Sequence, residues 1–189
     1  MHWSYCNIKD FSRDALEQAY IQLSDSRKEH IDRLRRSEDK IRSLAAELLL
    51  QKLLERFGVT GAILHRDPTG KPYLSGCDLY VSISHCDQIV ACAVSEEPVG
   101  IDVEQIRPVD LNICRHICTD EEKSYIGTDG TEGQLCQDPD ILLRFFTVWT
   151  AKEAYFKKRG TGITNPKSVN TLKQPRQMQM LGGYLLQII

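Results

Sequence analysis

The sequence predicts an α+β fold in which a helix and antiparallel strands occur twice over. Three observations carry this. Ile41, Leu44, Ala45, Leu48, Leu49 and Leu53 recur at helical spacing, as one apolar face of a helix requires. Residues 80–84 alternate Val81 and Ile83 with Ser82 and Ser84. After the short link His85-Cys86-Asp87-Gln88, residues 89–94 form a continuous apolar run. Alternation marks a half-covered strand and an unbroken run marks a strand buried on both faces, so the two read as a hairpin. A second long helix is expected from an Asp140 cap to about residue 159, closed by Gly160.

The remaining elements follow in order. Trp3 and Tyr5 share one face of an opening strand. Ser12 supplies a capping oxygen for a short helix through residue 23. Residues 27–36 form a charged stretch rich in Arg and Lys. Ser37, followed by Glu38 and Asp39, opens the first long helix with acids in its first turn, and Gly58 stops it. Residues 61–65 are a short apolar strand, and after Pro98 the run 99–104 alternates again. Thr119-Asp120-Glu121-Glu122 is a capping box. Residues 126–139 are polar and contain glycine, which reads as a mobile loop. Gly182-Gly183 turns a terminal hairpin between residues 178–180 and 184–189.

The chain has 189 residues, enough for one domain or two small halves sharing a seam. Its 24 basic residues against 26 acidic ones leave a net charge of −2, which argues against a nucleic-acid binder. No apolar run approaches the roughly 18 residues that span a bilayer. Residues 1–6 lack a basic region leading into an apolar stretch, so no signal peptide is expected and the chain is placed in the cytoplasm. The seven cysteines are odd in number and scattered. Cys114 and Cys118 flank His116 without a second ligand pair, so reduced thiols are expected rather than a zinc clip.

Three segments could carry chemistry. In Gly100-Ile101-Asp102-Val103-Glu104 the two carboxylates fall on one strand face, about 6.6 Å apart along the backbone. Like charges so placed repel unless a cation lies between them, and hard oxygen donors suit Mg²⁺. An acidic exposed strand face fits these residues equally well. In Trp149-Thr150-Ala151-Lys152-Glu153-Ala154-Tyr155-Phe156-Lys157, Glu153 and Lys157 lie one helical turn apart. They read as a surface ion pair or, given the apolar residues around them, as partly buried charges that need a partner or a metal. The third segment is Gly70-Lys71-Pro72-Tyr73 followed by Ser82-Ile83-Ser84-His85. Lys71 in its turn, and Ser84 and His85 at a strand end, suit phosphate contact; a solvated lysine and a structural histidine are the plainer alternatives.

Taken together and in this order, GKPYL, SISH, GIDVE and WTAKEAYFK-x-x-G-x-G resemble the 4′-phosphopantetheinyl transferase superfamily, in particular its larger monomeric, surfactin-synthetase-activating type. The likeness spans roughly residues 27–163. It implies a pseudo-twofold pair of similar α/β halves, each a helix packed on a mostly antiparallel sheet, with residues 1–98 as the N-terminal half and 99–189 as the C-terminal half. Coenzyme A would be the substrate, bound in the cleft between them. By the same resemblance Asp102, Glu104 and Glu153 hold Mg²⁺, Glu153 is the general base and Lys157 stabilises the departing phosphate. Arg42, Lys71, Ser84 and His85 bind phosphates of coenzyme A, with Arg27 and His30 as alternatives for the nucleotide end. The implied activity transfers 4′-phosphopantetheine to a serine of an apo acyl or peptidyl carrier protein, releasing 3′,5′-ADP. A monomer is expected, with neither nucleic acid nor membrane as partner, and residues 27–36 as docking contacts for an acidic carrier. Two other readings stay open: a module that binds coenzyme A or a carrier without catalysis, and a metal phosphohydrolase using the same carboxylates.

Overall fold

The computed structural model describes residues 1–128 and 135–189. The first layer begins with strand β1 (His2–Asn7), which lies antiparallel to β5 (Ile89–Ser95); β5 in turn pairs with β4 (Tyr80–Cys86), giving the order β1-β5-β4. Helix α3 (Ser37–Glu55) covers one face of this sheet, with Leu49, Leu50 and Leu53 against Val90, Cys92 and Val94. The opposite face of β5 presents Ile89, Ala91 and Ala93, which pack on Ile101, Val103, Leu186 and Ile188. Both faces of β5 are therefore covered, which explains its unbroken apolar run. The small alanines let a second sheet approach closely.

That second sheet has the order β6-β10-β9, from β6 (Ile101–Gln105), β10 (Tyr184–Ile188) and β9 (Gln177–Leu181), all antiparallel. Helix α6 (Pro139–Arg159) covers it, with Phe145, Phe146 and Val148 joining Leu185 in one core. One long helix on one three-stranded antiparallel sheet thus occurs twice, and the α+β class read from the sequence holds.

Several boundaries follow from caps. Ser12 Oγ accepts from the Ala15 amide (3.2 Å) and opens α1 (Arg13–Gln22). Thr119 and Glu122 form a reciprocal capping box on α5 (Asp120–Ile126). Gly160, at φ 69°, ends α6 in the left-handed conformation that glycine adopts without a Cβ clash. One expectation needs correction, and two further segments take on structure that the sequence left unassigned. Asp138 rather than Asp140 caps α6, accepting from the amides of Asp140 (2.9 Å) and Ile141 (3.1 Å) with Pro139 in the first turn. The charged stretch enters helix α2 (Asp25–Asp32), which buries Arg27 and Ile31. The Gly-Lys-Pro turn runs directly into β3 (Pro72–Ser75), paired with β2 (Ile63–Arg66). Of the loop expected over residues 126–139, residues 129–134 lie outside the described residues; Leu135–Cys136 forms β8, paired with β7 (Val109–Asp110). A short helix α4 (Cys114–Ile117) precedes α5. Among the described residues no helix is long and apolar enough to cross a membrane. The seven cysteines are free thiols.

Candidate functional site

The site grows from the seam between the two sheets. β4 and β6 are edge strands of separate sheets, and the amides on the outer side of β6 need partners. They find them in side chains. The Ile101 amide donates to Ser82 Oγ (3.0 Å), the Val103 amide to Ser84 Oγ (3.3 Å) and the Gln105 amide to Cys86 Sγ (3.3 Å). Alternation with period two puts Ser82, Ser84 and Cys86 on one face of β4, in register with every second amide of β6. Gly100, just before β6, brings this strand against α6. A Cβ there would stand 1.8 Å from the Ala154 carbonyl oxygen and 2.7 Å from the Lys158 amide nitrogen.

This close approach sets the carboxylates beside the helix. Asp102 is 3% exposed, and its Oδ1 accepts from Lys157 Nζ (2.5 Å) and from the Ser84 hydroxyl (2.7 Å). Lys157 Nζ also donates to Ser84 Oγ (2.8 Å). Asp102 Oδ2 is buried with no hydrogen-bond partner among the described residues. Glu104 Oε1 accepts from Trp149 Nε1 (3.2 Å), and its Oε2 lies 3.5 Å from the Cys86 thiol. Glu153 sits one turn before Lys157. Its carboxyl is pushed up to about 7, first by burial, then by the charge of Asp102, with Glu104 adding and Lys157 opposing. Asp102, Glu104 and Glu153 therefore share one electrostatic neighbourhood, although among the described residues no three His, Cys, Asp or Glu side chains form a ready-made cation cage. A buried carboxylate oxygen without a donor, and a carboxyl pushed up by burial and by its acidic neighbours, are what an added cation relieves. The donor set is all oxygen, and it fits Mg²⁺.

Basic groups occupy the other side. His85 is exposed at the end of β4, and its imidazole is held below its usual range. Desolvation by its neighbours is the largest cause, followed by Arg42 and Lys157; Arg66 adds to the effect and Asp39 opposes it. Arg42 donates to the Asp87 carbonyl (2.7 Å) and to Asp39 Oδ1 (2.5 Å). Lys71 Nζ donates to the Lys158 carbonyl (3.2 Å) at the C-terminal end of α6. A cleft of about 300 Å³ brings Arg66, Lys71, Ser82, Glu153 and Lys157 together. A second, of about 330 Å³, continues from Arg66 to His30, Arg33, His65 and Tyr73. Carboxylates at one end and converging cations along the walls suit a ligand that carries phosphates and meets a metal.

Comparison with known proteins agrees with this geometry. Residues 98–182, which hold β6, α6 and β9, match the family described as the 4′-phosphopantetheinyl transferase superfamily. The chain belongs to that superfamily. It is 33% identical over 131 residues to the 4′-phosphopantetheinyl transferase gsp of Aneurinibacillus migulanus, covering 68% of this chain and 52% of the relative. It is 26% identical over 163 residues to Sfp of Bacillus subtilis, covering 84% and 69%, and 28% identical over 157 residues to psf-1 of Bacillus pumilus, covering 81% and 64%. The chain thus spans between about half and two thirds of the length of these phosphopantetheinyl transferases.

Within this member of the superfamily, the expected site residues are distributed as follows. Asp102, Glu104, Glu153 and Lys157 meet at the seam. His85 and Arg42 are electrostatic neighbours, and Lys71 enters the cleft from the far wall. Ser84, expected to face a phosphate, is 5% exposed and turned into the seam, where its hydroxyl bridges Asp102, Lys157 and the Val103 amide. Arg27 is spent on a buried pair with Glu47 (2.6 Å), whereas His30 lines the second cleft. Arg66 went unnoticed in the sequence because nothing around it has a motif; β2 alone carries it to the junction of the two clefts. Ser82 and Cys86 did leave a signal, the two-residue alternation with Ser84, which was readable only as strand pattern.

Proposed function

We propose that this chain transfers 4′-phosphopantetheine from coenzyme A to a serine of an apo acyl or peptidyl carrier protein, with Mg²⁺ and with release of 3′,5′-ADP. The observation that carries the reading is the meeting of Asp102 and Glu104 on β6 with Glu153 and Lys157 on α6, at the contact that Gly100 permits. Asp102, Glu104 and Glu153 would hold the Mg²⁺, which supplies positive charge to the diphosphate of coenzyme A. Arg42, Lys71, Arg66 and His85 bind and orient the phosphates of the nucleotide, fixing the reacting phosphorus. The serine hydroxyl is a weak nucleophile and needs a base; Glu153, which lines the same cleft as Lys157, is placed for that task. The serine oxygen bonds to the phosphorus that bears the pantetheine arm, its proton passes to Glu153, and the bond to the 3′,5′-ADP oxygen breaks. Lys157 stabilises the negative charge left on that oxygen.

Both acid-bearing segments come from one chain, which supports a monomer as the working form. The seven unpaired cysteines support the cytoplasm as its compartment. Incubation with an apo carrier, coenzyme A and Mg²⁺ should add one phosphopantetheine to the carrier, read as a mass increase by intact-protein mass spectrometry. Absence of that increase across fatty-acid, peptide and polyketide carriers overturns the reading. Because the chain spans only part of its relatives' length, a module that binds coenzyme A without transfer is the second reading; measurable coenzyme A binding with no labelled carrier identifies it.

A further inference from the structure

The turn between β4 and β5 is a two-residue loop, Asp87-Gln88, closed by the Cys86 and Ile89 pair. Asp87 adopts φ 50°, the only non-glycine residue in the left-handed region among the described residues. Such a conformation persists where the surroundings impose it, and here three elements do. The Asp87 carboxylate accepts from the Tyr184 hydroxyl (2.7 Å), at the start of β10 in the second sheet. The Asp87 carbonyl accepts from the Arg42 guanidinium (2.7 Å) on α3. The next carbonyl, that of Gln88, accepts from the Ile8 amide (2.8 Å). The Tyr184 phenol is pushed up to about 12, first by its hydrogen bond to Asp87, so it remains a donor throughout the neutral range. Arg42 is held on its other side by Asp39 (2.5 Å), and its Nε is buried without a partner among the described residues. The guanidinium is thus oriented between the Asp87 carbonyl and Asp39, and Asp87 is held by Tyr184 from across the seam.

We propose that Asp87 and Tyr184 are positioning residues: a clamp from β10 to the β4–β5 turn that orients Arg42 and His85 toward the phosphates of the nucleotide. The clamp ties the phosphate-binding wall of the first sheet to the hairpin of the second. The inference deepens the coenzyme A reading above and rests on it.

The test uses the full chain and three variants. Tyr184→Phe removes the donor. Asp87→Gly keeps access to the left-handed conformation but removes the acceptor. Asp87→Asn keeps both an acceptor oxygen and tolerance of the left-handed region. Binding of 3′,5′-ADP is measured by calorimetry, and KM for coenzyme A and kcat by carrier labelling. Tyr184→Phe and Asp87→Gly should each weaken 3′,5′-ADP binding and raise KM about fivefold or more, as loss of one ordering hydrogen bond implies, with kcat within about twofold. Asp87→Asn should bind within about twofold of the unaltered chain. Equal binding by all four proteins overturns the clamp and leaves the coenzyme A reading standing. A fall in kcat at unchanged KM also overturns it, since that marks general loss of folded protein. If the unaltered chain neither binds 3′,5′-ADP nor labels a carrier, the coenzyme A reading itself fails and the clamp with it.

Discussion

Two lysines on α6, five residues apart in sequence, sit in ion pairs of opposite character. Lys152 is fully buried, and its three donors are met by Glu122 (2.8 Å) and the carbonyls of Pro166 and Val169 (2.8 Å each). Glu122 is equally saturated, taking the Thr119 amide, the Thr171 amide and the Thr171 hydroxyl, all at 2.8 Å. Burial alone would raise the Glu122 carboxyl, yet Lys152 and these donors hold it below its usual range. Lys157 and Asp102 are also close, at 2.5 Å, but Lys157 keeps about a third of its side chain in solvent, one Asp102 oxygen lacks a partner, and Glu153 beside them is pushed up to about 7. A charge pair with every donor and acceptor matched is a strut, tying the 166–171 segment to the helix. A pair with one unmatched oxygen and a raised carboxyl beside it retains binding capacity for something else. Adjacent residues of one motif, Lys152 and Glu153, thus fall on opposite sides of this division because successive helical positions differ by about 100°.

The sharpest way to break this contrast is Glu153→Gln. Loss of the proposed base should lower carrier labelling by about a hundred- to ten-thousandfold, with coenzyme A binding still measurable by calorimetry and an unchanged far-ultraviolet spectrum. Undiminished labelling would remove Glu153 from the chemistry. On the strut side, Lys152→Ala leaves Glu122 charged and buried alone, so urea unfolding should show a loss of about 3–5 kcal/mol. The double change Lys152→Met with Glu122→Gln removes both charges and should recover a large part of it. A loss below about 1 kcal/mol for the single change would mean that the pair is not the buried strut described.

The smallest effect is a pH dependence of opposite sign at the two ends. Glu122, held low, contributes stability that is present above its ordinary value near 4.5 and lost as pH falls below it. Glu153, raised from 4.5 to about 7, contributes stability that is complete below 4.5 and lost as pH rises through 7. In the presence of a chelator, Glu153→Gln should therefore gain stability relative to the unaltered chain between pH 4.5 and pH 7. The gain is on the order of 1–2 kcal/mol, since partial solvation reduces the full linkage value. Replacing the chelator by Mg²⁺ should raise the melting temperature of the unaltered chain more at pH 8 than at pH 5. Parallel pH curves for the two proteins would show that Glu153 is not perturbed.

Much of this architecture is legible in the residues themselves. Helix α3, the β4–β5 hairpin, the capping box at Thr119 and the glycine at 160 rest on local rules of period, cap and turn, and these act over a few residues. What was misread depended on distant partners. Helix α2 has little apolar patterning to announce it; Ile31 and the buried pair of Arg27 with Glu47 on α3 hold it in place. The cap of α6 moved from Asp140 to Asp138 because both are acids at a plausible start, and only the path of the chain into Pro139 chooses between them. Ser84 looked like a phosphate contact at a strand end until β6, lying alongside, claimed its hydroxyl.

By itself the sequence determined which residue types could do chemistry and how they are spaced along one strand and one helix, because strand and helix periods are properties of the local backbone. Only the tertiary structure decided that the strand and the helix touch. That contact needs a position without a Cβ at Gly100, an edge whose amides are met by Ser82, Ser84 and Cys86, and an αL turn at Asp87 anchored by Tyr184. Each is an agreement between segments far apart in the chain, and no local period encodes it.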